Sequence, residues 1–129
     1  MLPDLLRFEI TGFSREHHGI EWRDGWLWHR QAATPLDRPI ETKVAPEPRQ
    51  WESFWKSVEA ADVWHWRKEY SSEVCDGTQW SLKLQRGEQR VRCEGSNAYP
   101  GSDDPDCARS VQFGRWLRAL RALTGHPIR

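Results

Sequence analysis

The sequence predicts an α+β fold: one antiparallel sheet of about five to six strands with two helices packed on one face. Three observations carry this. Apolar and polar residues alternate with period two from Gln79 to Glu94, as in half-buried strands. Apolar residues recur at helical spacing at Trp51, Phe54, Trp55 and Val58, and again at Phe113, Trp116, Leu117, Leu120 and Leu123. Turn formers, Asp24-Gly25 and Gly87-Glu88, stand where the alternating runs reverse. With 129 residues the chain is expected to be a single domain, 1–129, long enough to bury roughly two-thirds of its unfolded surface.

Taken in order, residues 1–13 hold a short strand in which Phe8 and Ile10 alternate with Arg7, Glu9 and Thr11. The segment HHGIEWRDGWLWHRQ forms a hairpin, and two registers compete for it. A two-residue Asp24-Gly25 turn pairs Trp22 with Leu27 and leaves Trp26 and Trp28 on the opposite face. A three-residue loop, Arg23-Asp24-Gly25, pairs Trp22 with Trp26 and Ile20 with Trp28 and gathers the large apolar residues on one side. The second is the expectation here. Residues 33–48 carry four prolines and read as an extended connector with at most a short edge strand.

Pro48 suits the first turn of a helix ending near Asp62. Residues Val63–Tyr70 alternate again, placing Trp64, Trp66 and Tyr70 on one strand face. The central hairpin follows. With Gly87 supplying a positive φ at a type II′ turn, Leu84 faces Val91, Leu82 faces Cys93 and Trp80 faces Gly95. Lys83, Arg90, Arg92 and Glu94 share its polar face. The last helix starts at Asp104 with Pro105 in its first turn, or at Ser110 as N-cap. The off-stripe Val111 favours Ser110, and Gly125 and Pro127 end the helix.

The two helices align without a gap in residue character over Gln50–Val58 and Gln112–Leu120, and each follows a hairpin region containing Asp-Gly and Trp. That pattern is read as a duplicated strands–helix unit, against the alternative that any two amphipathic stripes align.

Nine Trp point to a core built from indoles. Lys plus Arg equals Asp plus Glu at 19 each, so no whole-molecule field favours a polyanion or an anionic membrane. No apolar run reaches membrane-spanning length, and the N-terminal residues lack the pattern of a signal peptide. Cys75, Cys93 and Cys107 show no C-x-x-C spacing, which fits reduced thiols and a cytoplasmic location.

DG-x-x-W, an alternating hairpin, and then G-S-N-A-Y-P before a helix, all within residues 76–100, resemble a family of small uncharacterised bacterial proteins. The resemblance implies a compact α+β domain with no assigned activity. This chain departs from that pattern by inserting GSDDPDCARS ahead of the helix.

No catalytic or metal residues are assigned from motifs, and no cofactor is expected. The five His residues show neither H-E-x-x-H nor a finger spacing, and His18, His29 and His65 are the set that geometry allows to meet. No nucleophile motif or phosphate loop occurs. The acids of Asp103-Asp104-Pro105-Asp106 suit the approach to a helix N-terminus.

Asp76 and Asn97 emerge at one end of the central hairpin, with Tyr99 nearby. They suit either a ligand site, and with it a small enzyme, or hydrogen bonding within their own loops. Arg90, Arg92, Arg115, Arg118 and Arg121 are the basic candidates for a partner surface.

The function expected is therefore a noncatalytic protein-binding module with at least two Trp exposed together, since Trp, Tyr and Arg dominate binding hot spots. The alternative is a nucleic-acid-binding protein that uses these arginines with a Trp as stacking platform.

Overall fold

The computed structural model describes residues 1–12, 16–34, 36–72, 78–101 and 110–128. Leu5–Thr11 form β1, His17–Arg23 β2, Trp26–Ala32 β3 and Ile40–Val44 β4; Pro48–Ala60 form α1. A 3₁₀ turn at Val63–His65 leads to β5 (Glu69–Ser71), and β6 (Gln79–Arg86) and β7 (Gln89–Ser96) precede α2 (Val111–Thr124). Among the described residues these make one seven-stranded sheet, ordered β4-β3-β2-β1-β6-β7-β5, with two α-helices on one face. The α+β class holds, with more strands than the five to six expected and with β5 parallel to β7, so the sheet is mixed. Both sides of β6 are taken by β1 and β7, which leaves β5 the outer edge of β7.

The strand inside the proline-rich connector is β4, where Ile40, Thr42 and Val44 alternate with Glu41 and Lys43 on the edge of the sheet. The central hairpin forms as expected: Leu84 pairs with Val91, Leu82 with Cys93 and Trp80 with Gly95, with Gly87 at φ +60°. Both helices start where capping chemistry predicts. Glu47 and Gln50 form a reciprocal capping box ahead of Pro48. At α2 the N-cap is Ser110, whose hydroxyl accepts from Phe113 N, and Gly125 ends the helix in the left-handed conformation.

Two expectations are corrected. The first hairpin turns on the two residues Asp24 and Gly25, pairing Trp22 with Leu27, Ile20 with His29 and Arg23 with Trp26. Asp24 at φ +56° and Gly25 at φ +77° supply the two left-handed residues that a type I′ turn needs. Turn chemistry thus outweighs the gathering of aromatic residues on one face.

The second concerns residues 63–70, which do not form one alternating strand. Ala61 closes α1, Asp62 is left-handed at φ +56°, and the chain makes the 3₁₀ turn instead. The Trp66 indole donates to Ala61 O and buries, while Trp64 stacks half-buried on Trp55. Only Glu69–Ser71 remain as strand.

The core lies between the sheet and the helices. Leu6, Phe8, Ile10, Ile20, Leu27, Leu82 and Leu84 rise from the sheet to meet Trp51, Phe54, Phe113, Trp116 and Leu120. Trp116 is 1% exposed and stands edge-on to both Phe8 and Trp66. Five of the nine Trp (Trp51, Trp55, Trp66, Trp80 and Trp116) are buried, so the indole core is real but does not use the whole set. Among the described residues, no helix is long and apolar enough to cross a membrane.

Candidate functional site

Because successive strand residues point to opposite sides, burying one face of the sheet leaves the other to water. Its side chains fall into rows that cross the strands in register. One row runs Lys43, Trp28, Glu21, Arg7, Lys83 and Arg92. The next runs Glu41, Arg30, Gly19, Glu9, Ser81, Glu94 and Glu69.

Trp26 and Trp28 stand on this open face at the β3 side. Trp26 is 41% exposed and Trp28 half-buried. Lys43 Nζ lies 4.3 Å from the Trp26 ring centre and 5.3 Å from that of Trp28, and the Arg23 guanidinium lies 4.6 Å over Trp28. These cations sit on the negative faces of the indoles and keep the pair ordered while it is wet. Of the two Trp expected to be exposed together, Trp26 is exposed and Trp28 beside it is half-buried.

Across β1, β6 and β7 the same face sinks into two adjoining hollows. One, of about 510 Å³, is lined by Glu9, Thr11, Glu69, Ser71 and Glu94 among others. The other, of about 600 Å³, holds Arg7, Lys68, Lys83 and Arg92 with Glu9 and Glu94. Glu9 is held by Arg30 at 2.7 Å and approached by Arg7 at 3.5 Å. Among the described residues Lys83 and Arg92 make no ion pair.

The arginines expected to act together are divided between layers. Arg90 and Arg92 point from β7 onto the open face. Arg115 and Arg118 lie on the outer side of α2, where Arg115 Nη1 donates to Ala60 O. Arg121 donates to Ile128 O at 2.9 Å and fastens the C-terminal residues to the helix.

Asp76 lies outside the described residues. Asn97, at φ +56°, accepts from Thr78 N with its side chain and donates its own N–H to Thr78 O, which closes the open end of the β6–β7 hairpin. Tyr99 is buried against Phe113, with ring centres 4.8 Å apart.

A buried histidine stack takes the place of the His18, His29 and His65 set. His18 and His29 are each 1% exposed, with His18 Nδ1 3.2 Å from His29 Nε2 and His18 Nε2 3.1 Å from Glu16 Oε2. The third ring is His126, stacked on His29 at 4.2 Å, while His65 sits in the exposed 3₁₀ turn bonded to Asp62. Burial, followed by the neighbouring His126 and His18, lowers the His29 pKa to about 4. Among the described residues no group of three or more His, Cys, Asp or Glu is arranged to hold a metal. Cys93 points into the core, and burial pushes its thiol up to about 12.

Sequence reasoning missed Trp26 and Trp28 as surface groups because it favoured the other register, although the Asp-Gly pair carried the signal. It also missed Arg7, which joins Lys83 only through the pairing of β1 with β6. No protein-family model and no curated protein matches the chain.

Proposed function

We propose that the protein is a noncatalytic binding module, cytoplasmic, whose partner is another protein docked on the open face of the sheet. The observation that carries this is the Trp26 and Trp28 pair, held under Lys43 and Arg23 on the face the helices leave uncovered. Aromatic rings with few rotatable bonds anchor an interface at low entropic cost, and charged residues around them form its polar rim. The structural duties of Asn97 and Tyr99 favour this reading over a small enzyme at that end of the hairpin. A trace of duplication fits the same picture, since α1 and α2 each follow a hairpin and lay an apolar stripe on one shared face.

The test is site-specific photocrosslinking in the native cell. A photoreactive side chain at position 26 is expected to capture one protein, and the same group at position 118, on the helical layer, is expected to capture none. Equal capture at both positions, or none at position 26, refutes the proposal.

Nucleic acid is the second reading, supported by Trp28 sharing a sheet row with Arg7, Lys83 and Arg92. It requires a salt-sensitive mobility shift with DNA or RNA. Absence of a shift at low ionic strength removes it.

A further inference from the structure

Like charges directly opposite on neighbouring strands destabilise a sheet. Here Arg7 faces Lys83 across β1 and β6, and Lys83 faces Arg92 across β6 and β7, so three cations occupy consecutive positions of one row. Lys68 completes the group at the rim, where its carbonyl accepts from Glu94 N at 2.9 Å and fixes it beside β7. All four line the hollow of about 600 Å³ with Glu9 and Glu94 as the acidic side chains. Glu9 is already engaged by Arg30 at 2.7 Å, which leaves Glu94 as the acid free to offset the four cations.

Four cations against Glu94 leave the hollow short of negative charge by about three, and a phosphomonoester, at about −1.5 to −2 at neutral pH, offsets most of that. A single carboxylate would neutralise only part of the surplus. Arg7 and Arg92 offer planar forks suited to phosphate oxygens, Lys83 between them a point charge, and Ser81 a hydroxyl at the wall.

We propose that this hollow on β1, β6 and β7 is a binding site for a phosphoryl group, contacted by Arg7, Lys83 and Arg92. The site rests on reading the open face as the working face, and it does not require a protein to be the occupant.

The experiment titrates the full chain with phenyl phosphate by calorimetry and by amide chemical shifts, at an ionic strength of about 20 mM where screening is weak. Saturable binding with shifts centred on residues 7, 83 and 92 is expected. K83Q/R92Q is expected to bind about tenfold more weakly or worse, having lost two charge-assisted contacts. R115Q/R118Q removes the same charge from the helical layer and is expected to bind as the parent does. Equal weakening in both double variants would show a general charge effect and overturn the site, as would the absence of saturation.

Circular dichroism checks that K83Q/R92Q is folded, and R92Q alone serves if it is not. A phosphoserine peptide binding more tightly than phenyl phosphate assigns the group to a protein, and equal affinity assigns it to a small molecule. A peptide with Asp in place of phosphoserine that binds equally well refutes the phosphoryl class. W26A/W28A, outside the hollow, is expected to retain phenyl phosphate while losing protein capture, so the two proposals fail separately.

Discussion

Gly95 lies in β7 opposite Trp80, and the Trp80 indole covers it while donating to Ala98 O at 3.0 Å. A methyl group placed on Gly95 would overlap Nε1 and Cε2 of that indole and come within 2.7 Å of Ala98 O. Neither neighbour moves freely. Trp80 is packed against Phe113 at 4.9 Å and Trp66 at 6.0 Å, and Ala98 follows Asn97, which both Thr78 hydrogen bonds pin. Overpacking a core costs about 1–3 kcal/mol, and weakening the indole hydrogen bond adds about 1 kcal/mol. The lower entropy of the unfolded Ala chain offsets about 0.4–1 kcal/mol.

Gly95→Ala is therefore expected to cost about 3 kcal/mol, a large part of the roughly 5–15 kcal/mol that holds a domain together. With an unfolding entropy of about 2.1 cal/mol/K per residue, Tm should fall by about 11 °C. Urea and thermal unfolding followed by far-ultraviolet circular dichroism measure both quantities. In a Trp80→Phe background the same change should cost at least about 1 kcal/mol less, because the two sites share the clash. A loss below about 1 kcal/mol, or no coupling to Trp80, refutes the packing account.

Four further outcomes are expected. His29 is neutral in the folded protein, with a pKa of about 4 against 6.5 for the free side chain, so the unfolded chain takes up the proton first. Its stabilising contribution is full above pH 6.5 and is lost as pH falls towards 4, by about 3 kcal/mol in all; His29→Gln should flatten the Tm profile in that window, and an unchanged slope counts against it. Ser110→Ala removes the α2 cap and should cost about 1 kcal/mol in urea unfolding, with a value near zero excluding the cap as a contributor. Lys83→Gln relieves repulsion from Arg7 and Arg92 and should raise stability by about 0.2–1 kcal/mol, whereas a loss would mean that the row is not repulsive. Cys93 should resist iodoacetamide at pH 8 in the native protein and react in urea; peptide mapping that finds it alkylated at the native stage contradicts its burial.

The central hairpin and both helix starts are legible from local signals. The β6–β7 register follows from Gly87 and strict alternation, and both helix starts follow from capping residues and stripes whose signals lie within a few positions of one another. The first hairpin shows the limit of compositional reasoning. Gathering Ile20, Trp22, Trp26 and Trp28 on one face selects the wrong register, whereas the backbone demands of Asp24-Gly25 put Trp26 and Trp28 outside. Residues 63–70 mimic a strand because the period-two pattern there serves different ends, Trp64 stacking on Trp55 while Trp66 caps α1.

The cationic row is harder still to see. Lys83 and Arg92 were visible on the polar face of one hairpin, but Arg7 reaches them only through a pairing that spans more than 70 residues, and no local pattern encodes that.

The placement of β1 has a consequence for synthesis. β1, made before the other six strands of its sheet, is the middle strand of that sheet, bonded to β2 on one side and to β6 on the other. Until Gln79–Arg86 leave the ribosome, a nascent meander of four strands presents the whole β6-facing border of Leu5–Thr11, with Leu6, Phe8 and Ile10 beside it, to any other chain nearby. Polypeptides stalled before residue 79 should therefore aggregate or recruit holdase chaperones, and those extended past β7 should not.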